Sequence, residues 1–357
     1  MIKNEKSSVK HPREFLCRDV KCEAVGMPPR PLVSVNILSF NRCAELRQTL
    51  GAVTRELNYP SDLLEIIVVD NASRDGSAAM VAREFPGVLL IRRSVNCGVS
   101  AWNDGFRHCH GEYILVLDDD CYLVGDDLNR AISAAQETGA ALVSFSVANP
   151  NEPGFYFNRD VNPGLLSFWG CAALIRSDVI ATLGGFEPAI FVYTHELEFT
   201  IRLLNAGFSH LFLPEVRAMH NKPAGESKTY SLKAPLLWAS NRGVILGKLM
   251  PIPYLVLILW RTMLGYFRYG FFTPFHILKV IWHFFMGLFR GLGMRDPVSH
   301  ETASFYSKNY MEFAPPVLWW GEVRQKREAM LQEARRRYFP IGSPSLLESR
   351  EDPTMNC

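Results

Sequence analysis

From Leu32 onward, short apolar runs alternate with stretches in which apolar residues recur every three or four positions. The runs Leu32–Phe40 (LVSVNILSF), Leu63–Val69 (LLEIIVV), Val88–Arg92 and Tyr113–Leu117 predict four strands. Leu46, Leu50, Val53 and Leu57 recur with helical spacing and predict a helix over Glu45–Leu57, with Asn41 as its N-cap. Further helices are expected from Asp75-Gly76-Ser77 to about Phe85, over Ser100–His108, over Asp126–Thr138, and over His195–Asn205, where Gly207 supplies the stop. Later strands are expected at Ala141–Val147, Ala172–Ile175 and Leu211–Leu213, the last followed by a loop holding His220. Strands alternating with amphipathic helices define an α/β fold built on a mostly parallel, doubly wound sheet.

Three of these strands end in polar clusters: Ser39/Asn41, Asp70/Asn71 and Asp118/Asp120. Parallel strands bring such ends to one edge, where open α/β sheets bind ligands. The third cluster stands out. Five apolar residues run straight into Asp118, Asp119 and Asp120, and Cys121, Tyr122, Leu123 and Val124 offer no neutralising charge. Two readings stay open for those acids alone. They hold a hard divalent metal with a phosphate-bearing ligand, or they form a solvated turn with Asp126 or Asp127 capping the next helix. Convergence of three clusters on one edge favours a site.

Composition narrows the classes. A net charge of +2 spread over 357 residues gives no field directed at nucleic acid. The eight cysteines contain no CxxC pair, which fits core thiols in a reducing compartment better than disulfides or zinc. Residues 1–30 read as a loosely ordered polar leader without the apolar stretch of a signal peptide, closed by Pro28, Pro29 and Pro31. A cytoplasmic location follows as an expectation.

The ordered motifs VSVNILSFNR, IIVVDNASRDGS, NCGVSAWNDGF, GEYILVLDDD, WGCAALIRSDVIATLGGF and HELEFTIRLLNAGF resemble those of the family 2 glycosyltransferases. That family has the GT-A fold, a Rossmann-like nucleotide-sugar-binding sheet, and inverts the anomeric centre. The resemblance implies a catalytic domain over 31–225. It places Ser39, Phe40 and Asn41 at a nucleotide-contact turn, with Asp70 and Asn71 at the base. An ionised Asp70 can only accept a hydrogen bond, so it suits the N3–H of uracil or thymine and fits UDP- or dTDP-sugars. Asn96, Gly98 and Asn103 match the family's nucleotide loop; alone they would read as turn or cap residues. Asp118 and Asp120 match its DxD pair, with Asp119 between them on the nucleotide side. Asp120, Asp118 and His220 would hold Mn²⁺ or Mg²⁺, which stabilises the leaving nucleoside diphosphate.

Glu196 falls where the family has its catalytic base, but the usual acidic pair is here His195-Glu196. Inversion requires one base for the acceptor hydroxyl, and either Glu196 or His195 could take the proton. Glu198 reads as a structural or solvated acid, and Arg202 as part of a helix-surface or structural ion pair rather than a phosphate contact. Trp169 beside Gly170 falls on the acceptor side, either stacking on a sugar or belonging to the core. The implied activity is sugar transfer to a hydroxyl of a glycan or lipid-linked saccharide. Two alternatives are transfer to a polyprenyl phosphate and a GT-A domain that only binds nucleotide or partner.

Past His220 the pattern changes. Residues 226–340 are expected to be helical and aromatic-rich, with 341–357 a flexible tail. Residues 251–291 hold twelve aromatic residues, interrupted by Arg261, Arg268, Lys279 and Arg290. The clean apolar runs are too short to span a bilayer. Two amphipathic helices separated near Pro274 remain, lying either on a membrane surface or against the catalytic domain.

Overall fold

The structure is a computed structural model that describes residues 30–152, 167–223, 234–268 and 274–308. The expected leader but for Arg30, the end of the expected helical region past 308 and the expected tail lie outside these residues.

In chain order the elements are β1 (Val33–Ser39), α1 (Cys43–Arg55), β2 (Leu64–Asp70), α2 (Ser77–Glu84), β3 (Leu89–Arg92), α3 (Trp102–Phe106), β4 (Tyr113–Asp118), β5 (Cys121–Tyr122), α4 (Asp127–Thr138), β6 (Leu142–Ala148), β7 (Ala172–Arg176), α5 (Ser177–Leu183), α6 (His195–Asn205) and β8 (His210–His220). Helices α7 (Ala234–Leu249), α8 (Ile252–Arg268), α9 (Pro274–Leu292) and α10 (His300–Lys308) follow.

The eight strands form one sheet in the order β3-β2-β1-β4-β7-β6-β8-β5. Strands β1 to β4 are parallel, so Ser39, Asp70 and Asp118 finish on the same edge. The other half is mixed: β7 runs antiparallel between β4 and β6. Strand β4 shows why its sequence is apolar at every position. Tyr113, Leu115 and Leu117 face one core with Leu46 and Leu50, whereas Ile114 and Val116 face another with Trp102, Phe186 and Phe199. Both faces are covered, as in parallel sheets generally.

Two expectations are corrected. The last strand does not stop at Leu213. Pro214 lacks an N–H and reads as a terminator, but an irregularity absorbs it. β6 pairs with His210–Leu213, skips, and resumes with Arg217–Met219. His220 therefore ends a strand, paired opposite Cys121, instead of lying in a loop. Asn41 does not cap α1. It has left-handed backbone geometry, and the Cys43 N–H is met by Asp75 Oδ2 at 2.8 Å from the next strand end.

Helix α6 is apolar on two sides. Phe199 and Leu203 join the core on the sheet, while Leu197 and Ile201 join a third core built by α7 to α10. Helices α7 and α9 meet backbone to backbone: a Cβ on Gly243 would overlap Phe284 O, and one on Gly287 would overlap Ser240 O. Among the described residues no helix is long and apolar enough to cross a membrane.

Candidate active site

Asp118 ends β4, and Asp120 is brought beside His220 by the two-residue pairing of β5 with the end of β8. One ligand atom from each of Asp118, Asp120 and His220 lies within 4.8 Å of the others. His220 Nε2 is 3.2 Å from Asp120 Oδ1, and Asp120 Oδ2 pairs with both Arg42 and Lys222. Two carboxylates and an imidazole suit a divalent ion. Burial raises the Asp118 pKa, and neighbouring Asp120 and Asp119 raise it further. Burial opposes ionisation of Asp120 too, but the contact with His220 and the charges of Arg42 and Lys222 hold its pKa well below the ordinary carboxylate value.

Asp119 turns the other way. Its Oδ2 accepts the Phe40 N–H at 3.0 Å, and burial lifts its pKa to about 6. It thus ties the turn after β1 to the end of β4. Phe40 itself is partly exposed, while Ser39 is buried with its carbonyl accepting the Asn71 N–H at 2.8 Å.

Asn71 knits the nucleotide loop expected from the sequence. Its Nδ2 donates to Asn96 Oδ1 at 2.9 Å and to Gly98 O at 3.1 Å, and its Oδ1 accepts the Cys97 N–H at 2.9 Å. Asp70 is buried and accepts the Ser73 N–H at 3.1 Å. Gly98 has a φ of +63°, and a Cβ there would overlap Phe191 O. Asn103 is placed elsewhere: both ends of its amide bond the Phe186 backbone at 2.8 Å, over Gly185.

Glu196 opens α6, and its Oε1 accepts the Gly170 N–H at 3.1 Å. The next residue, Cys171, accepts the Asp118 N–H at 3.0 Å through its carbonyl. Two consecutive residues thus join the Glu196 carboxylate to the acidic strand end. A Cβ at 170 would come within 2.6 Å of His195 Nε2 and 2.7 Å of Glu196 Oε1, so a larger residue there would displace these side chains. His195 is buried between the rings of Trp102 and Phe186, with centroids 5.9 and 5.0 Å away. Its Nδ1 lies 3.2 Å from Glu196 Oε2. Burial lowers its pKa against the pull of Glu196 and Glu198, which favours neutral imidazole. Trp169 is half-buried at the edge of the first core.

Glu198 is fully buried and pairs with Arg202 at 2.8 Å and Lys248 at 2.9 Å. Burial opposes the Lys248 charge, but Glu198 and Glu187 hold its pKa above the ordinary lysine value. Arg202 also donates to Leu183 O and Gly185 O, both at 2.8 Å. This network anchors α6 to α7 and to the turn after α5.

Among the described residues, the non-glycine positions with positive φ are Asn41, Ala72, Tyr193 and Thr194. All lie at the strand-end turns or just before Glu196. Each such residue costs about 1–3 kcal/mol, and this kind of strain gathers where side chains must be aimed. Sequence reasoning passed over Arg42 and Lys222. Their one signal was a cation right after SFN and another two residues after His220.

Residues 34–184 match the family model "Glycosyl transferase family 2". The chain is 29% identical over 213 residues to glycosyltransferase AglE of Haloferax volcanii, covering 55% of this chain and 69% of that protein. It is 27% identical over 282 residues to an undecaprenyl-phosphate 4-deoxy-4-formamido-L-arabinose transferase of Aeromonas hydrophila, covering 69% and 82%. A mannosyltransferase from Pyrobaculum calidifontis, solved with GDP-Man and Mn²⁺, superposes with a TM-score of 0.48 at 19% identity, covering 85% of this chain and 87% of that one. Residues 34–184 thus carry the family 2 glycosyltransferase pattern, on a mixed α/β sheet followed by a helical C-terminal region.

Proposed function

We propose that the protein moves a sugar from a UDP- or dTDP-type donor to a hydroxyl of a glycan or lipid-linked saccharide, with inversion and Glu196 as base. The observation that supports this reading is the Gly170-Cys171 link, through which Glu196 and Asp118 of the Asp118/Asp120/His220 cluster each bond one of two consecutive residues. Asp120, Asp118 and His220 would hold Mn²⁺ or Mg²⁺, which supplies positive charge to a leaving diphosphate. Arg42 and Lys222 add cationic side chains at the same edge. Glu196 removes the acceptor proton. The Gly170 N–H fixes one oxygen of Glu196, and the buried His195 ring packs beside the other, with Nδ1 3.2 Å away and not hydrogen-bonded to it. Kept neutral by burial, His195 orients the base and does not replace it. Asp70 and the Asn71–Asn96–Gly98 loop form the nucleotide end, and Trp169 lies toward the acceptor.

A donor screen tests this. Hydrolysis and thermal stabilisation should appear with one nucleotide-sugar class, disappear with excess chelator, and return with Mn²⁺ or Mg²⁺. Full activity in chelator would remove the metal from the reading, and no response to any donor would favour a binding module.

The exposed side of α8 and α9 supports peripheral membrane contact as part of this reading. Trp260, Trp282 and Phe289 are 65%, 65% and 66% exposed. Residues 252–292 carry four cations and no acid. At 100° per residue, Leu278, Trp282, Met286 and Phe289 form one stripe on α9, with Lys279 and Arg290 along its border. Arg261 is partly committed to Ser307 O at 3.0 Å and Arg290 to Ala189 O at 3.3 Å, while the Arg268 side chain is outside the described residues. Vesicles containing phosphatidylglycerol should sediment the protein and release it in high salt. Equal recovery in the supernatant with and without vesicles would leave α8 and α9 as a helical layer only.

A further inference from the structure

The chemistry described so far uses nothing from the C-terminal helices, yet one of them grips the segment that aims the base. Asn241 of α7 is 3% exposed. Its Nδ2 donates to Val192 O at 2.7 Å and to Tyr193 O at 3.0 Å. Tyr193 and Thr194, with φ of +67° and +56°, are consecutive non-glycine residues in left-handed geometry. The next residues are His195 and Glu196. One turn before Asn241 on the same helix, Trp238 packs on Tyr193 with ring centroids 5.5 Å apart. From the other side, Phe191 O accepts the Val99 N–H at 2.8 Å, a contact opened by the missing Cβ of Gly98. The four residues Phe191–Thr194 are therefore held between the nucleotide loop and α7.

The residue type fits the task. Two carbonyls converge on a single nitrogen, which must offer two N–H donors. A primary amide does so without a buried charge, whereas Ser, Thr or His offers one donor at most to such a pair. An apolar residue would leave two part-buried carbonyls without this partner, and a turn in unfavourable geometry would lose what fixes it.

We propose that Asn241 is a positioning residue for glycosyl transfer: its amide locks the left-handed Tyr193–Thr194 turn and so fixes the direction in which Glu196 leaves α6. The proposal deepens the reading of Glu196 as base and rests on it. Released, the turn lets Glu196 drift from the Gly170 N–H, and the base is misplaced.

Asn241→Leu, close in size but without donors, tests it in the full-length protein, with rates normalised to nucleotide-binding sites. kcat should fall by about ten- to a hundredfold, the effect of a displacement of about 1 Å at a reacting group. Donor KM should stay within about twofold, so that the loss falls on kcat alone. Asn241→Ser, with one donor, should fall between. Gly170→Ala, which disturbs the same Glu196 contact, should also lower kcat, and the double variant should lose less than the two effects combined. Amide hydrogen exchange should quicken at 191–198 and stay unchanged in α1. A kcat per binding site within twofold of normal, with only the melting temperature lowered, reduces Asn241 to helix packing and overturns the proposal. So does unchanged exchange at 191–198. Near-normal turnover in Glu196→Gln removes the base reading alone; the exchange arm still decides whether Asn241 holds the turn.

Discussion

The sheet edge and the α7–α10 layer are assembled by opposite means. At the edge, polar side chains are concentrated where apolar strands stop, and almost every one is bonded across elements: Phe40 to Asp119, Asn71 to the loop at 96–98, Gly170 to Glu196. In the helical layer the decisive contacts are made by residues with no side chain at all, Gly243 and Gly247 against Gly287 and Gly291. The first region has a geometry set by hydrogen bonds, which are directional and costly to leave unmade. The second depends on close backbone approach, which any added carbon obstructs. The two meet at α6, whose apolar faces join one core on each side.

The comparison breaks most sharply if the edge does not depend on its acids. Asp120→Asn keeps the shape but halves the carboxylate count at the cluster in Asp118/Asp120/His220. Its activity should drop by more than about a hundredfold, the upper range seen even for second-shell partners of a metal. Donor titrations at rising Mn²⁺ or Mg²⁺ check this; donor affinity recovering at high metal would show that Asp120 is dispensable.

The glycine seam between α7 and α9, unlike Asn241, should respond in stability and not in chemistry. In an ordinary helix, Gly→Ala stabilises by about 0.5–1 kcal/mol. At Gly287 the new methyl would overlap the Ser240 carbonyl, a backbone atom that no rotamer change can move aside. Overpacking of this kind costs about 1–3 kcal/mol, so the net change should be a loss. Denaturant midpoints should fall for Gly287→Ala; a rise would mean that α7 and α9 are not packed this closely.

How much was legible follows the same division. Strand β4 and its acids could be read because an apolar run that ends in three carboxylates is conspicuous in one dimension. Helix α6 could be read to the residue, since its period and its glycine stop agree. The antiparallel insertion of β7 left no such mark: an apolar run of five states that a strand is buried, not which way it runs. Nor did the run Leu211–Leu213 show that β8 continues past Pro214, because only the partner strand reveals the irregularity that admits the proline. Arg42 and Lys222 were missed because surface cations are common and their target, Asp120, lies 78 and 102 positions away. Asn241 was invisible for a related reason: its partners are two carbonyls, which every residue carries.

A smaller effect distinguishes the sheet from the helices by pH. His210 is buried in β8 beside Ser144, with Oγ 2.8 Å from its Nε2, and burial lowers its pKa to about 3. The unfolded chain takes up this proton near pH 6.5, the folded one only near 3. The unfolded state therefore binds more protons in that window, and stability present above about pH 6.5 is lost as pH falls. The loss should be at most about 1.4 kcal/mol per pH unit from this residue. His210→Gln should flatten the dependence of denaturant midpoints between pH 6.5 and 5. Identical slopes for the two proteins would mean that His210 ionises freely in the fold.

The most direct measurement is turnover and donor affinity for Glu196→Gln beside His195→Ala, across pH. Glutamine keeps the size and the contact with the Gly170 N–H but cannot take a proton. If Glu196 is the base, its variant should bind donor nearly normally and lose about two to four orders of magnitude in turnover. His195→Ala should lose about tenfold, in the range of a residue that only orients its neighbour. The opposite pattern would contradict the assignment: near-normal turnover for Glu196→Gln, a crippled His195→Ala, and wild-type activity falling below about pH 6.5 as an imidazole protonates.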